Sequence, residues 1–172
     1  TFHVSAKRQK ASFAIVPILE PVIEKLSARI AVSEAARQTL RDHLETDAVV
    51  IPNGINAQSM RGNNCSEWSE QTLGFMGRFN EPRKGLKVLI DALPIISRFM
   101  PEIKVLVAGP GDPDEFLKEI DPQLRNRIQF LGRLTEEQKA DFMTSVSAFV
   151  APNTGGESFG IILAEALAGG AA

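Results

Sequence analysis

Short apolar runs alternate with longer amphipathic stretches along the whole chain. Runs of four or five mostly β-branched or aliphatic residues, bounded by turn residues, read as buried parallel strands; the periodic stretches between them read as helices. Val4 ends a first strand, and Arg29–Val32 and Ala48–Ile51 supply two more. A second set follows at Leu73–Met76, Lys104–Ala108, Ile128–Leu131 and Ala148–Ala151. Helices are predicted over Lys10–Leu26, divided by Pro17 and Pro21, and from an N-cap at Ser33 to about His43. Others are predicted over Gly85–Phe99, Pro113–Ile120, Glu136–Met143 and Phe159–Ala168. Strand and helix in alternation predict an α/β fold with parallel sheets.

The polar stretch 58–71, which holds Gly62-Asn63-Asn64, interrupts this rhythm and reads as a linker. It marks the boundary between two α/β domains, residues 1–57 and residues 72–172. In such sheets ligands bind beyond the carboxyl ends of the strands, where most of the polar candidates lie. The chain opens without methionine on a strand-like segment and stops at Gly169-Gly170-Ala171-Ala172. It therefore reads as an excerpt of a longer protein.

Composition narrows the function classes. A 44% hydrophobic content over 172 residues fits one or two small globular domains. A formal net charge of −2 argues against a general nucleic-acid surface. Cys65 is the single cysteine, so no disulfide forms within the chain. The apolar run Phe13–Ile23 is broken by Pro17, Glu20 and Pro21 and is too short to cross a bilayer.

Two motifs carry the chemistry. In the first, Gly155-Gly156-Glu157-Ser158-Phe159-Gly160 leads into Ile161–Ala164 and then Glu165. The glycines allow a sharp turn, and the following helix start offers free N–H groups suited to a phosphate. Eight residues is close to two helical turns, which predicts Glu165 on the same face as Glu157. One carboxylate could hold sugar hydroxyls beside a diphosphate and the other a ribose. In the second, Gly77-Arg78-Phe79-Asn80-Glu81-Pro82-Arg83-Lys84-Gly85 directly follows a strand. Arg78 and Lys84 pair a forked donor with a point charge, a combination suited to a leaving diphosphate. Arg83 reads as solvated.

Other candidates have plainer alternatives. His3, at a strand end, is a packed residue or a proton-handling group, while His43 is a partner for a helix dipole. Asp112-Pro113-Asp114 spells a D-x-D metal motif, but Asp112 sits where it would cap a helix with Pro113 at its first position. Lys7, Arg8 and Lys10 either open a solvated helix or meet an anionic membrane surface. Arg133 and Lys139 follow a strand and either line a base-binding pocket or add surface charge.

Ile51-Pro52-Asn53-Gly54-Ile55, Gly77-Arg78, Glu81–Gly85, Leu131-Gly132 and Ala151-Pro152 through Gly160 together resemble glycosyltransferase family 4, whose fold is GT-B with two Rossmann-like domains. Asn80–Gly85 and Gly155–Gly160 are most similar to its members that transfer mannose to phosphatidyl-myo-inositol. The resemblance implies a retaining transferase using GDP-mannose, with no tightly bound cofactor and divalent-cation stimulation only through the diphosphate. It implies Gly77, Arg78 and Lys84 at the diphosphate, Glu157 at the mannose hydroxyls and Glu165 at the ribose. Ser158, Phe159, Gly160 and Ile161 would line the donor, with the amides of Phe159 and Gly160 facing the phosphates. Lys139 would lie near the guanine and His3 near the acceptor. Thr135 and Glu136 stand where relatives often carry two aspartates. A phosphatidylinositol acceptor at an anionic membrane, a cytoplasmic location on the inner face of the plasma membrane and no catalysis by the excerpt alone are further expectations. A relative using a UDP- or ADP-sugar, and a non-catalytic sugar-nucleotide-binding module, are the alternatives.

Overall fold

The computed structural model describes residues 21–65, 68, 71–157 and 159–172. The strand ending at Val4, most of the helix expected over Lys10–Leu26, His3, Lys7, Arg8, Lys10 and Ser158 lie outside those residues. The chain divides into two compact units. One comprises residues 1–54 with 156–160, and the other residues 55–155 with 161–172.

In the first unit, β1 (Ile30–Ala31) and β2 (Val49–Val50) pair in parallel, Ile30 opposite Val49. Between them runs α1 (Glu34–Leu44). Ser33 caps it as its sequence predicts, its hydroxyl accepting from the Ala36 amide at 3.1 Å. Ala31, Val32, Ala36, Leu40 and Ala48 form the core of this unit, with Phe159 packed against them.

The second unit is a four-stranded parallel sheet: β3 (Thr72–Met76), β4 (Lys104–Ala108), β5 (Ile128–Gly132) and β6 (Ala148–Phe149). Its spatial order is β5-β4-β3-β6. Strand β4 is central, and Val105 to Ala108 are all buried because both faces are covered. Alternate residues point to opposite faces: Val105 and Val107 join Phe75 and Leu89 in one cluster, Leu106 and Ala108 join Phe142 and Met143 in the other. The connections are α2 (Leu86–Ile96), then α3 (Pro113–Lys118) with α4 (Pro122–Arg125), then α5 (Glu136–Ser145). Helix α6 (Ile161–Gly169) follows β6. The four-residue α4 was not predicted, being too short to show a period.

Asp112 is a helix cap: its Oδ1 accepts from the amides of Asp114 and Glu115 at 2.9 and 3.2 Å. Thr135 caps α5, forming a reciprocal box with Gln138. The polar stretch is pinned to α5 rather than loose. The amides of Gly62, Asn63 and Cys65 donate to Thr144 Oγ1, Asp141 Oδ1 and Ser145 Oγ at 3.0, 2.6 and 2.7 Å, and Met60 is buried. Trp68 stacks edge-on against Phe142, and its carbonyl accepts from the Thr72 hydroxyl.

Candidate functional site

The strand order reverses between β3 and β6. The strands that follow β3 in the chain, β4 and β5, lie on one side of it, and β6 returns to the other. In doubly wound sheets the crevice at the carboxyl ends of two such strands is where ligands bind. Both sequence motifs emerge there. After β3 come Gly77 and Arg78, then a 3₁₀ turn over Pro82–Lys84. After β6 come Val150, whose amide donates to the Gly74 carbonyl at 2.8 Å, and the loop through Gly155. The two loops are joined: the Thr154 amide donates to the Arg83 carbonyl at 2.9 Å. Gly85, at φ 77°, lies so close to the carbonyl of Pro152 that a Cβ would collide with it.

A cleft of about 300 Å³ opens at the ends of β3, β4 and β5. Met76, Gly77, Ala108, Gly109, Pro110 and Leu134 give it an apolar floor, and Arg78, Arg133 and Lys139 give it three cations. Asn80, outside the cleft lining, joins two of the loops that bear the cleft. Its Oδ1 accepts from the Asp112 amide at 2.7 Å and its Nδ2 donates to the Asp112 carbonyl at 3.5 Å, tying the loop after β3 to the loop after β4. That tie was not read from the sequence; an asparagine in a glycine-bounded loop hints at backbone bonding without saying to which strand end.

The cations are not equivalent. Lys139 donates to Glu165 Oε1 at 3.0 Å and to Glu136 Oε2 at 2.9 Å. Burial disfavours its ammonium, but the bonds to Glu136 and Glu165 outweigh that and raise its pKa above the ordinary lysine value. Its side chain is only 16% exposed and that of Glu165 17%, so α5 and α6 meet through a largely desolvated ion pair. The guanidinium groups of Arg78 and Arg133 have no hydrogen-bonding or ionic partner among the described residues. Lys84 is half-buried at the end of the 3₁₀ turn and Arg83 pairs with Glu81 at 3.1 Å.

The second motif differs from its helical expectation. Helix α6 starts at Ile161, so Glu157 lies in the preceding coil and does not share a helical face with Glu165. Gly160 separates them at φ 77°, a left-handed residue that redirects the chain before the first turn. Glu157 and Gly160 fall in the segment that groups with the first unit, whereas Ile161 and Glu165 fall in the second. His3, Lys7, Arg8, Lys10 and Ser158 lie outside the described residues.

Residues 70–172 match the family described as "Glycosyl transferases group 1". The chain belongs to that family. This agrees with the resemblance carried by its motifs. It is 42% identical to the phosphatidyl-myo-inositol mannosyltransferase of Mycobacterium tuberculosis over all of this chain and 46% of that protein. It is 30% identical over 52% of its length to a Corynebacterium glutamicum GDP-mannose-dependent monoacylated alpha-(1-6)-phosphatidylinositol monomannoside mannosyltransferase, covering 25% of that protein. The chain thus spans about half the length of the mycobacterial relative. Among solved structures it is similar to Anabaena HepE, determined with UDP and glucose. The TM-score is 0.74 at 23% identity, over 96% of this chain and 47% of that one. That likeness concerns the fold, which is the α/β GT-B class expected from the sequence. This family member has no helix among the described residues that is long and apolar enough to cross a membrane.

Proposed function

We propose that the full protein is a retaining mannosyltransferase that moves mannose from GDP-mannose to phosphatidyl-myo-inositol. The observation that carries this reading is 42% identity to an enzyme of that name, held over the whole chain. The cationic cleft at the ends of β3, β4 and β5, beside the switch point, is compatible with a nucleotide diphosphate. The C. glutamicum relative's name supports GDP-mannose as donor.

In this reading Arg78 and Lys84 hold the diphosphate, with Gly77 allowing close approach. Glu157 orients the mannose hydroxyls, and Ser158, Phe159, Gly160 and Ile161 complete the wall around them. Glu165 holds the ribose, Lys139 flanks the guanine, and His3 lies by the acceptor. Breaking the bond to GDP leaves an oxocarbenium-like sugar and one additional negative charge on the diphosphate. Arg78 and Lys84 stabilise that charge as it develops, which lowers the barrier more than it tightens ground-state binding. The inositol hydroxyl attacks from the face the diphosphate leaves, and a phosphate oxygen takes its proton, so configuration is retained. A divalent cation acts only through the donor's diphosphate. Lys7, Arg8 and Lys10 meet the anionic headgroups on the inner face of the plasma membrane.

The test is to incubate the full-length gene product with labelled GDP-mannose and phosphatidylinositol vesicles and to count label in the lipid phase. Label is expected there, and Glu157→Ala is expected to remove it. Lipid label only with a UDP- or ADP-sugar would keep the family and discard the donor; no label from any donor would discard the activity.

A further inference from the structure

Arg133 follows β5 and lines the cleft, yet the diphosphate assignment leaves it without a role. We propose that Arg133 reads the O6/N7 edge of a guanine base and thereby selects the donor nucleotide. This rests on the nucleotide-sugar reading above and adds to it the residue that decides the base.

The argument starts from the sheet. A diphosphate at the switch point lies between the ends of β3 and β6, beside Arg78. The cleft extends away from that point, across β4 to the loop after β5. Neighbouring strands lie about 4.8 Å apart, so the ends of β3 and β5 are separated by roughly 10 Å. That is comparable with the reach from the phosphates of a nucleoside diphosphate to its base. A base following this direction lies over Ala108, Gly109 and Pro110, against Leu134, with its edge towards Arg133.

Charge then separates the cations. Lys139 is occupied by Glu136 and Glu165. Arg133 has no such partner among the described residues and projects from an exposed position, so its guanidinium is available. A guanidinium offers two parallel N–H donors, and guanine offers two adjacent acceptors, O6 and N7, in matching geometry. Adenine puts an amino donor where O6 would be, and uracil has a single carbonyl on that side. The same side chain therefore favours guanine and disfavours the other two.

The experiment is calorimetric titration of the full-length protein, wild type, Arg133→Leu and Arg133→Lys, with GDP, 7-deaza-GDP, ADP and UDP. Wild type should prefer GDP and bind 7-deaza-GDP more weakly, since that analogue lacks N7. Arg133→Leu should lose about tenfold or more in GDP affinity, bind ADP and UDP as wild type does, and no longer distinguish GDP from 7-deaza-GDP. Arg133→Lys should recover only part of the loss, because a point charge cannot pair with both acceptors. Unchanged GDP affinity in Arg133→Leu, an equal loss for all the nucleotides, or full rescue by lysine would each overturn the assignment while leaving the GDP-mannose reading intact. A wild type that prefers ADP or UDP would overturn both.

Discussion

Gly85 shows how much one backbone angle contributes to the site. It ends the 3₁₀ turn that carries Lys84, at φ 77°, with the carbonyl of Pro152 where its Cβ would be. Alanine there incurs a left-handed penalty of about 1–2 kcal/mol and must also displace the loop after β6. Gly132 is also left-handed, at φ 68°, but has nothing within 4 Å of a Cβ. Gly132→Ala should therefore lose only the conformational part. In urea unfolding Gly85→Ala is expected to be the less stable of the two, by at least about 1 kcal/mol. Equal midpoints would mean that the Pro152 loop yields freely and that the contact between the motifs is loose.

At the scale of an element, α1 is tied to the loop before β2 by Asp47. Its carboxylate accepts from Arg37 at 2.7 and 2.9 Å, from Arg41 at 3.1 and 2.9 Å, and from the Ala48 amide at 2.8 Å. The Arg37 bonds foremost, then those of Arg41 and Ala48, hold the Asp47 carboxyl well below the usual aspartate range. Arg37 is held above its own ordinary value by the same partner. A carboxyl depressed in the folded state contributes stability above its unfolded pKa and loses it as pH falls through the folded value. Asp47 and Arg41 are exposed and Arg37 only half-buried, so the effect is modest and salt-sensitive. Asp47→Asn should flatten the acid limb of a stability–pH curve below the ordinary aspartate pKa of 3.8, with no change of slope at alkaline pH. An acid limb identical to wild type would show that this cluster does not couple to folding. Lys139 has the opposite sign. Its raised pKa keeps its contribution intact up to the ordinary lysine range, and the contribution is lost only as pH rises through the folded value.

At the scale of the whole molecule, much of the α/β order was legible because short aliphatic runs such as Val105–Val107 are bounded by clear turn residues. The caps at Ser33 and Asp112 were legible for the same local reason: the side chain bonds within its own first turn. What escaped depends on distance or on a single angle. Lys139 and Glu165 pair across 26 residues, which no local rule reports. The helical face expected for Glu157 failed because a 3.6-residue period cannot register a left-handed Gly160 ahead of the helix. Arg133 and Asn80 were visible as residue types, but their cleft and their tie belong to three different strand ends.

The pinned stretch 60–65 has a practical meaning for anyone wishing to isolate the sheet unit. Composition suggests cutting just ahead of Thr72, where the polar residues stop. Such a cut strips three amides from Thr144, Asp141 and Ser145 and uncovers the bed of Met60 on the unit that also carries Lys139. A shortened chain starting at Ile55 should melt cooperatively, whereas one starting at Thr72 should melt several degrees lower and less sharply in a calorimetric scan. Matching melts would mean that the strap adds little. A clear difference would move the edge of this unit some seventeen residues upstream (72 − 55), into a stretch held largely through its main-chain amides.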